Sequence, residues 1–256
     1  MPLVKAPYAI GSHAYFFRDA ASITAHTHTT KRARSAANVA TLTTATAHGL
    51  WIGAIVAIAS MGGTGYNNAT AVVATVPTTT SFTYANTGDP ESETADTAGT
   101  VTQTGVASRT NKPGPDDTAW IDLGVIEEAS DSPVASEKID IFAPTPGLLR
   151  KYDVVEVKRQ RKGKLKCREL SPLALQTLYR TAALTESSTQ FNALEGSLVK
   201  GWLKVQRYDQ NDTLRITEDL YCILEVSGDV NFGGGALAEV EFEYDVLHST
   251  LNTGTL

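Results

Sequence analysis

Residues 236–248 read Ala-Leu-Ala-Glu-Val-Glu-Phe-Glu-Tyr-Asp-Val-Leu-His, and this alternation decides the fold class. Successive side chains of a strand point to opposite faces. Val240, Phe242, Tyr244 and Val246 therefore share one face, and Glu239, Glu241, Glu243 and Asp245 the other. At about 1.5–3 kcal/mol per buried large side chain, the four apolar residues supply roughly 6–12 kcal/mol of gross burial before chain entropy is subtracted. The four acids repeat about every 6.7 Å, inside a Debye length of about 8 Å, so they need water to stay ionised. The strand belongs to a sheet with one apolar side and one wet, negative side.

The rest of the chain agrees with a mainly β class. Its 256 residues are enough for one large β domain or two smaller ones. Val, Thr, Ala and Gly are abundant and helical periodicity is scarce. Leu198–Arg207, Leu214–Val226 and Leu237–His248 read as three long strands joined by turns at Asp209–Asp212 and Gly228–Gly235, an antiparallel meander that can leave one face solvated. Ser171-Pro172 opens the one convincing helix, about 172–183, with Leu173, Leu175, Leu178, Tyr179 and Ala182 on one side. That helix is expected across the apolar face of the sheet. Tyr152–Lys158 and Lys164–Leu170 read as a hairpin across Arg159–Gly163, with Gly163 at the turn exit.

Composition changes abruptly inside the chain. From Ser35 to Val106 there is no Lys or Arg, and the only acids are Asp89, Glu91, Glu93 and Asp96. Short alternating runs (Val39–Ala45, Ala54–Ser60, Ala71–Val76, Phe82–Ala85, Gly99–Gln103) are separated by Gly, Asn and Pro, which predicts a small all-β module inserted over 35–106. The flanking pieces, 1–34 and 107–256, form the other, discontinuous domain.

Net charge is −6, from 22 basic and 28 acidic residues, which argues against a protein whose main work is gripping nucleic acid. Cys167 and Cys222 make no disulfide framework and read as buried thiols. No charged leader with an apolar core and no apolar run near 18 residues is present, so folding in a cytoplasm without membrane insertion is expected. The sequence carries no Gly-x-Ser-x-Gly elbow, His-Glu-x-x-His, Cys-x-x-Cys or P-loop, so no catalytic residue, cofactor or metal is assigned. His26-Thr-His28 lacks further ligands nearby, and the Gly-rich turn Met61–Tyr66 lacks the Lys and helix of a phosphate cradle. Carboxylates in one row on one strand also lack the opposed, unlike pair of a glycosidase.

Lys158, Arg159, Arg161, Lys162, Lys164, Lys166 and Arg168 crowd into eleven residues. Aromatic interleaving is missing, so base stacking is not suggested. Three readings stand: a nucleic-acid grip, a solvated hairpin tip, and a contact with the acidic surface of another copy of this chain, which is preferred to the first.

Two resemblances follow. Val39–Leu50 with its His48-Gly49-Leu50, then Gly63-Thr-Gly-Tyr-Asn67 and Ser81-Phe-Thr-Tyr84, resemble a β module that decorates bacteriophage tail and tail-fibre proteins, usually facing outward. The order of the remaining parts is similar to the tail tube (major tail) protein of long-tailed phages: a short N-terminal segment, Trp120-x-x-Leu123-Gly124, a long hairpin, a Ser-Pro-capped helix and three final strands. That resemblance implies a β-sandwich or half-barrel with one flanking helix. It implies hexameric rings stacked into a tube, a bridging arm at 152–170, and a location in the virion tail after assembly in the host cytoplasm. The partners it implies are other copies of the chain, with tape-measure, tail-terminator and tail-tip proteins at the ends. DNA would pass through the tube without specific binding. Glu239, Glu241, Glu243 and Asp245 are then the expected lumen wall, because an acidic hydrated surface lets a polyanion slide where a basic one would hold it. Lys158, Arg159, Arg161, Lys162, Lys164 and Lys166 are the expected contacts between rings. A different expectation is a virion-surface adhesin whose 35–106 module binds host glycan.

Overall fold

The computed structural model describes residues 11–23, 26–115, 117–124, 126–145, 148–168, 172–180, 198–228, 230 and 239–255. Near the end of β1 (Gly11–Arg18) the chain enters a compact unit spanning Phe17–Trp120; a second, discontinuous unit comprises Met1–Phe16 and Ile121–Leu256.

The Phe17–Trp120 unit holds β2 (His26–Arg34), β3 (Val39–Thr44), β4 (Ile55–Ala59), β5 (Asn68–Thr78), β6 (Ser81–Ala85), β7 (Glu91–Ala95) and β8 (Thr100–Gln103). Pairing runs β3-β6-β5-β4-β8-β2, and β2 then pairs β3 again, so this path closes on itself, with β7 paired to β2 as an outer strand. Inward alternation of Leu42, Val56, Ile58, Val73, Phe82, Tyr84 and Val101 fills the interior. Pro77 sits where the β5–β6 register shifts between Thr75 and Thr78, the kind of irregularity that tolerates a missing N–H.

This unit is longer at both ends than the 35–106 stretch marked by composition. The break at Ser35 records where cations stop, and β2 lies just before it. Arg32 on β2 pairs Glu91 at 2.9 Å and Asp96 at 2.8 Å, so the acids of the lysine-free stretch find their counter-charge on the preceding strand. Arg34 donates to Asn86 Oδ1 at 2.6 Å and to the Thr64 carbonyl at 2.9 Å, and its guanidinium stacks 4.2 Å from the Tyr66 ring.

In the discontinuous unit the strands are β9 (Ile121–Asp122), β10 (Ile126–Asp131), β11 (Ala135–Thr145), β12 (Leu148–Gln160), β13 (Lys162–Cys167), β14 (Val199–Tyr208), β15 (Leu214–Val226), β16 (Val240–Val246) and β17 (Thr253–Thr255). The described part of the helix is α1 (Pro172–Tyr179). The main sheet runs β10-β13-β16-β15-β14-β1-β9, with β17 on β15. The expected meander of the last three long strands is present as adjacent antiparallel β14, β15 and β16. Val240, Phe242 and Tyr244 are buried, as their parity requires, beside Phe16, Leu165, Leu203 and Leu224. From the helix, Leu173 and Ala174 join this core, and the helix lies against β15. The helix ends at Tyr179, where Arg180 takes a left-handed turn conformation, earlier than the expected 183; its expected cap Ser171 lies outside the described residues. The fold is thus mainly antiparallel β with one helix on the sheet.

The sheet is strongly curled. Asp131 of β10 and Arg207 of β14 form an ion pair although four strand steps separate them. On a flat sheet those steps would span about 19 Å, far beyond an arginine's reach. Curling brings the two strands together across the concave face, the geometry of a half-barrel.

The hairpin expected across Arg159–Gly163 does not form. β12 pairs instead with β11 in a separate two-stranded ribbon, while β13 lies between β10 and β16. Only Arg161 separates β12 from β13, so the chain passes from ribbon to sheet without reversing. Two local facts explain this. In sequence the turn formers Pro146-Gly147 separate β11 from β12, whose last pair is Thr145↔Leu148, whereas 159–163 lacks Pro, Asn and Asp. Gly163, moreover, is a close-approach residue: a Cβ there would fall within 2.7 Å of the Ser130 carbonyl and closer still to the Tyr244 hydroxyl.

Candidate functional site

The two residue sets singled out from sequence meet on one surface. On β13, Gly163, Leu165 and Cys167 are buried, which turns Lys162, Lys164 and Lys166 to the wet face beside Glu239, Glu241, Glu243 and Asp245. Register places Lys162 opposite Asp245, Lys164 opposite Glu243 and Lys166 opposite Glu241. The ion pairs run diagonally, each lysine reaching one step toward the start of β16. Lys162 lies 3.3 Å from Glu243, Lys164 2.6 Å from Glu241, and Lys166 3.0 Å from Glu239. Lys162 also approaches Asp245 at 4.0 Å, and Gln160 donates to Asp245 at 2.8 Å. On the other flank Glu127 of β10 meets Arg168 at 2.6 Å and Lys166 at 3.1 Å.

This is a charge ladder three strands wide, with Lys162, Lys164, Lys166 and Arg168 set among five carboxylates. Titration behaviour follows from the pairing. Hydrogen bonds from Arg168 and Lys166 pull the Glu127 carboxyl down to about 2. The Lys164 ammonium lowers Glu241, and its own value is raised in return. The acidic row is therefore largely neutralised within its own chain, a pairing not legible in the sequence because β13 and β16 lie far apart in it.

A second cluster lies at the concave end of the sheet. Arg161 donates to Glu218 Oε1 at 2.8 Å and stands 3.5 Å from Asp131; Arg207 donates to Glu218 Oε2 at 2.8 Å and also pairs Asp131. The Tyr244 hydroxyl donates to the same Asp131 carboxylate. These side chains are only 16–28% exposed. Arg161, expected to reach another ring, thus contacts its own body. Asp131, Arg207 and Glu218 were missed, and Tyr244 was read only as a core residue; the one signal of the three charged residues is that each continues a core-facing parity (Arg207 after Leu203 and Val205) past the end of the apolar stripe.

The third feature is the ribbon itself. β11 and β12 pair from Ala135↔Gln160 to Thr145↔Leu148, with bulges at Glu137/Lys138 and Ile141/Phe142. Eleven residues at about 3.4 Å each make an arm roughly 37 Å long. Ile139, Ile141 and Val155 share one face and are 56%, 42% and 44% exposed. Phe142, Val154 and Tyr152 are exposed too. Lys151–Asp140 at 2.6 Å and an Arg159–Glu156 pair supply its ionic contacts. Lys158 and Arg159 lie on this arm, while Lys162, Lys164 and Lys166 lie on the sheet.

In the other unit a cleft of about 490 Å³ is lined by Arg32, Arg34, Gly62–Gly65 and Gly88–Glu91. Its arginines are engaged by Glu91, Asp96, Asn86 and Thr64, and the Gly62 N–H donates to Asp96 at 2.9 Å. The cleft's arginines are thus held by groups of the same unit. Among the described residues no group of three His, Cys, Asp or Glu is placed to hold a metal ion, and the side chains of His26 and His28 lie outside them.

No protein-family model and no curated protein matches this chain.

Proposed function

We propose that this chain is a structural subunit that self-assembles through the β11–β12 arm. Its arrangement of parts suits the tail tube protein of a long-tailed bacteriophage, stacked as hexameric rings around a channel for DNA. The observation that carries the reading is the exposed apolar arm. A lone two-stranded ribbon is marginal in water, and exposed apolar patches mark association surfaces. Ile139, Ile141, Phe142, Tyr152, Val154 and Val155 are each about half exposed or more, or close to it. Covering what remains of each would give about 1 kcal/mol apiece, roughly 6 kcal/mol in all. One arm contact therefore lies at the low end of the 4–15 kcal/mol lost on association. A ring presenting many arms at once turns that marginal contact into a firm one.

The ladder supports a conduit by a route other than a bare acidic wall. Each phosphate held by a lysine normally releases a counterion, and that release drives salt-dependent DNA binding. Lysines that already hold carboxylates gain little by exchanging them for phosphate. A paired wall is hydrated, near neutral and slippery. The tape-measure, terminator and tip proteins are the partners this reading assigns to the tube.

Negative-stain microscopy and sedimentation velocity test it. The intact chain is expected to form tubes or rings, and a chain with residues 137–158 replaced by a short Gly-containing turn to remain a folded monomer. An intact chain that stays monomeric at high concentration, or tubes from the armless chain, would overturn the proposal.

A further inference from the structure

We infer that Arg207 and Glu218 are positioning residues that aim the arm, acting through Asp131 and Arg161 at its root. This rests on the assembly reading above. The two root residues bracket the arm in sequence: Asp131 closes β10 just before it, and Arg161 stands between β12 and β13 just after it. Each meets one member of a pair of body residues that also hold each other. Glu218 of β15 holds Arg161 at 2.8 Å and Arg207 at 2.8 Å, and Arg207 of β14 in turn holds Asp131. Backbone bonds complete the root: Ser132 N–H to the Lys162 carbonyl at 2.8 Å, and Val246 N–H to the Arg161 carbonyl at 2.9 Å.

The cluster balances two cations against two carboxylates, with the Tyr244 hydroxyl on Asp131. Its side chains are less exposed than those of the outer ladder (16–28% against 33–50%), so salt screens them less. Geometry makes the root decisive. The ribbon is two strands wide, about 4.8 Å between strands, and some 37 Å long, so a 1 Å shift across the root moves the tip by roughly 7–8 Å. Packed interfaces tolerate far less than that. A network that fixes the root in two directions, from β14 and from β15, gives the tip a defined aim.

The test uses the full chain with Arg207→Met and Glu218→Gln combined, which removes one cation and one anion and keeps most side-chain volume. Hydrogen exchange is read at arm amides 135–160 and at body amides 199–226, alongside the concentration needed for assembly. We expect arm exchange and that concentration each to rise at least about tenfold, with body exchange and melting unchanged. Arg207→Lys should recover part of the loss. Should the double variant fail to fold, Glu218→Gln alone carries the same expectation. Unchanged arm exchange in a folded variant would overturn the inference, even if assembly changed. If the intact chain forms no assembly, the function proposed above fails, and arm exchange still decides the role of Arg207 and Glu218.

Discussion

Lys164 Nζ lies 2.6 Å from Glu241 Oε1, although the strand register sets Lys164 opposite Glu243. The diagonal choice repeats for Lys162 and Lys166, so twist between β13 and β16 brings each lysine nearer to the carboxylate one step along. A row of like charges on one strand and a row of opposite charges on its neighbour thereby interlock. Either row alone would be a charged wall; together they form a nearly neutral surface.

That interlock has a pH signature. Glu127 and Glu241 have carboxyl groups held below their unfolded values by Arg168, Lys166 and Lys164. A depressed carboxylate stabilises the fold above its unfolded pKa, and the contribution disappears as pH falls through the folded value. The expected loss thus starts near pH 4.5 and is complete for Glu127 at about 2. Thermal melts from pH 6 to 2 should show it, and Arg168→Met with Lys166→Met should flatten that part of the profile. An unaltered profile would mean that the flank pairs contribute nothing.

Gly163→Ala should be damaging although the site is in a strand. The new methyl would press on the Ser130 carbonyl and the Tyr244 hydroxyl, and the first is rigid backbone in the adjoining strand. We expect a loss of about 1–3 kcal/mol in urea unfolding, as for overpacked cores. A loss below about 0.5 kcal/mol, the usual range for surface sites, would contradict the close approach.

Arg32→Met should act on the Phe17–Trp120 unit by stranding Asp96, whose side chain is 2% exposed. Burial by itself would raise the Asp96 carboxyl, but the Gly62 N–H and Arg32 outweigh it and hold the value down. Removing the guanidinium leaves burial opposed by backbone N–H groups alone. A destabilisation of about 3 kcal/mol at neutral pH is expected, shrinking as pH falls and Asp96 takes up a proton. Calorimetry of the variant at pH 7 and pH 4 separates this from a simple packing loss, which would be independent of pH.

The arm predicts a separation of stability from assembly. Ile139→Lys with Val155→Glu, a directly opposed pair of unlike charges, makes polar a face that the single chain leaves in water, so unfolding should change by less than about 0.5 kcal/mol. Assembly followed by light scattering should nevertheless be abolished. A variant that assembles normally would show that this face is free in the particle.

Much of the architecture is legible in local pattern. The parity of 240–246, the three closing strands, the helix start at Pro172 and five of the seven strands β2–β8 all follow from side-chain alternation and turn residues, which depend on near neighbours alone. The errors arise where pairing is non-local. Lys162–Cys167 alternates as clearly as any strand, yet nothing within it says that its partners are β10 and β16 and not β12. The start of the Phe17–Trp120 unit was obscured because its counter-charges, Arg32 and Arg34, precede the lysine-free stretch.

By itself, the chain's alternation determined that this protein is mainly β, which residues face inward, and that its acids and its bases each lie in rows. Only the tertiary structure decided that those rows neutralise each other, that Asp131 and Arg207 meet across a curled sheet, and that the free ribbon is 135–160. The reason is physical: a side chain's face depends on its own strand's two-residue period, but its electrostatic partner depends on which strand lies about 4.8 Å away.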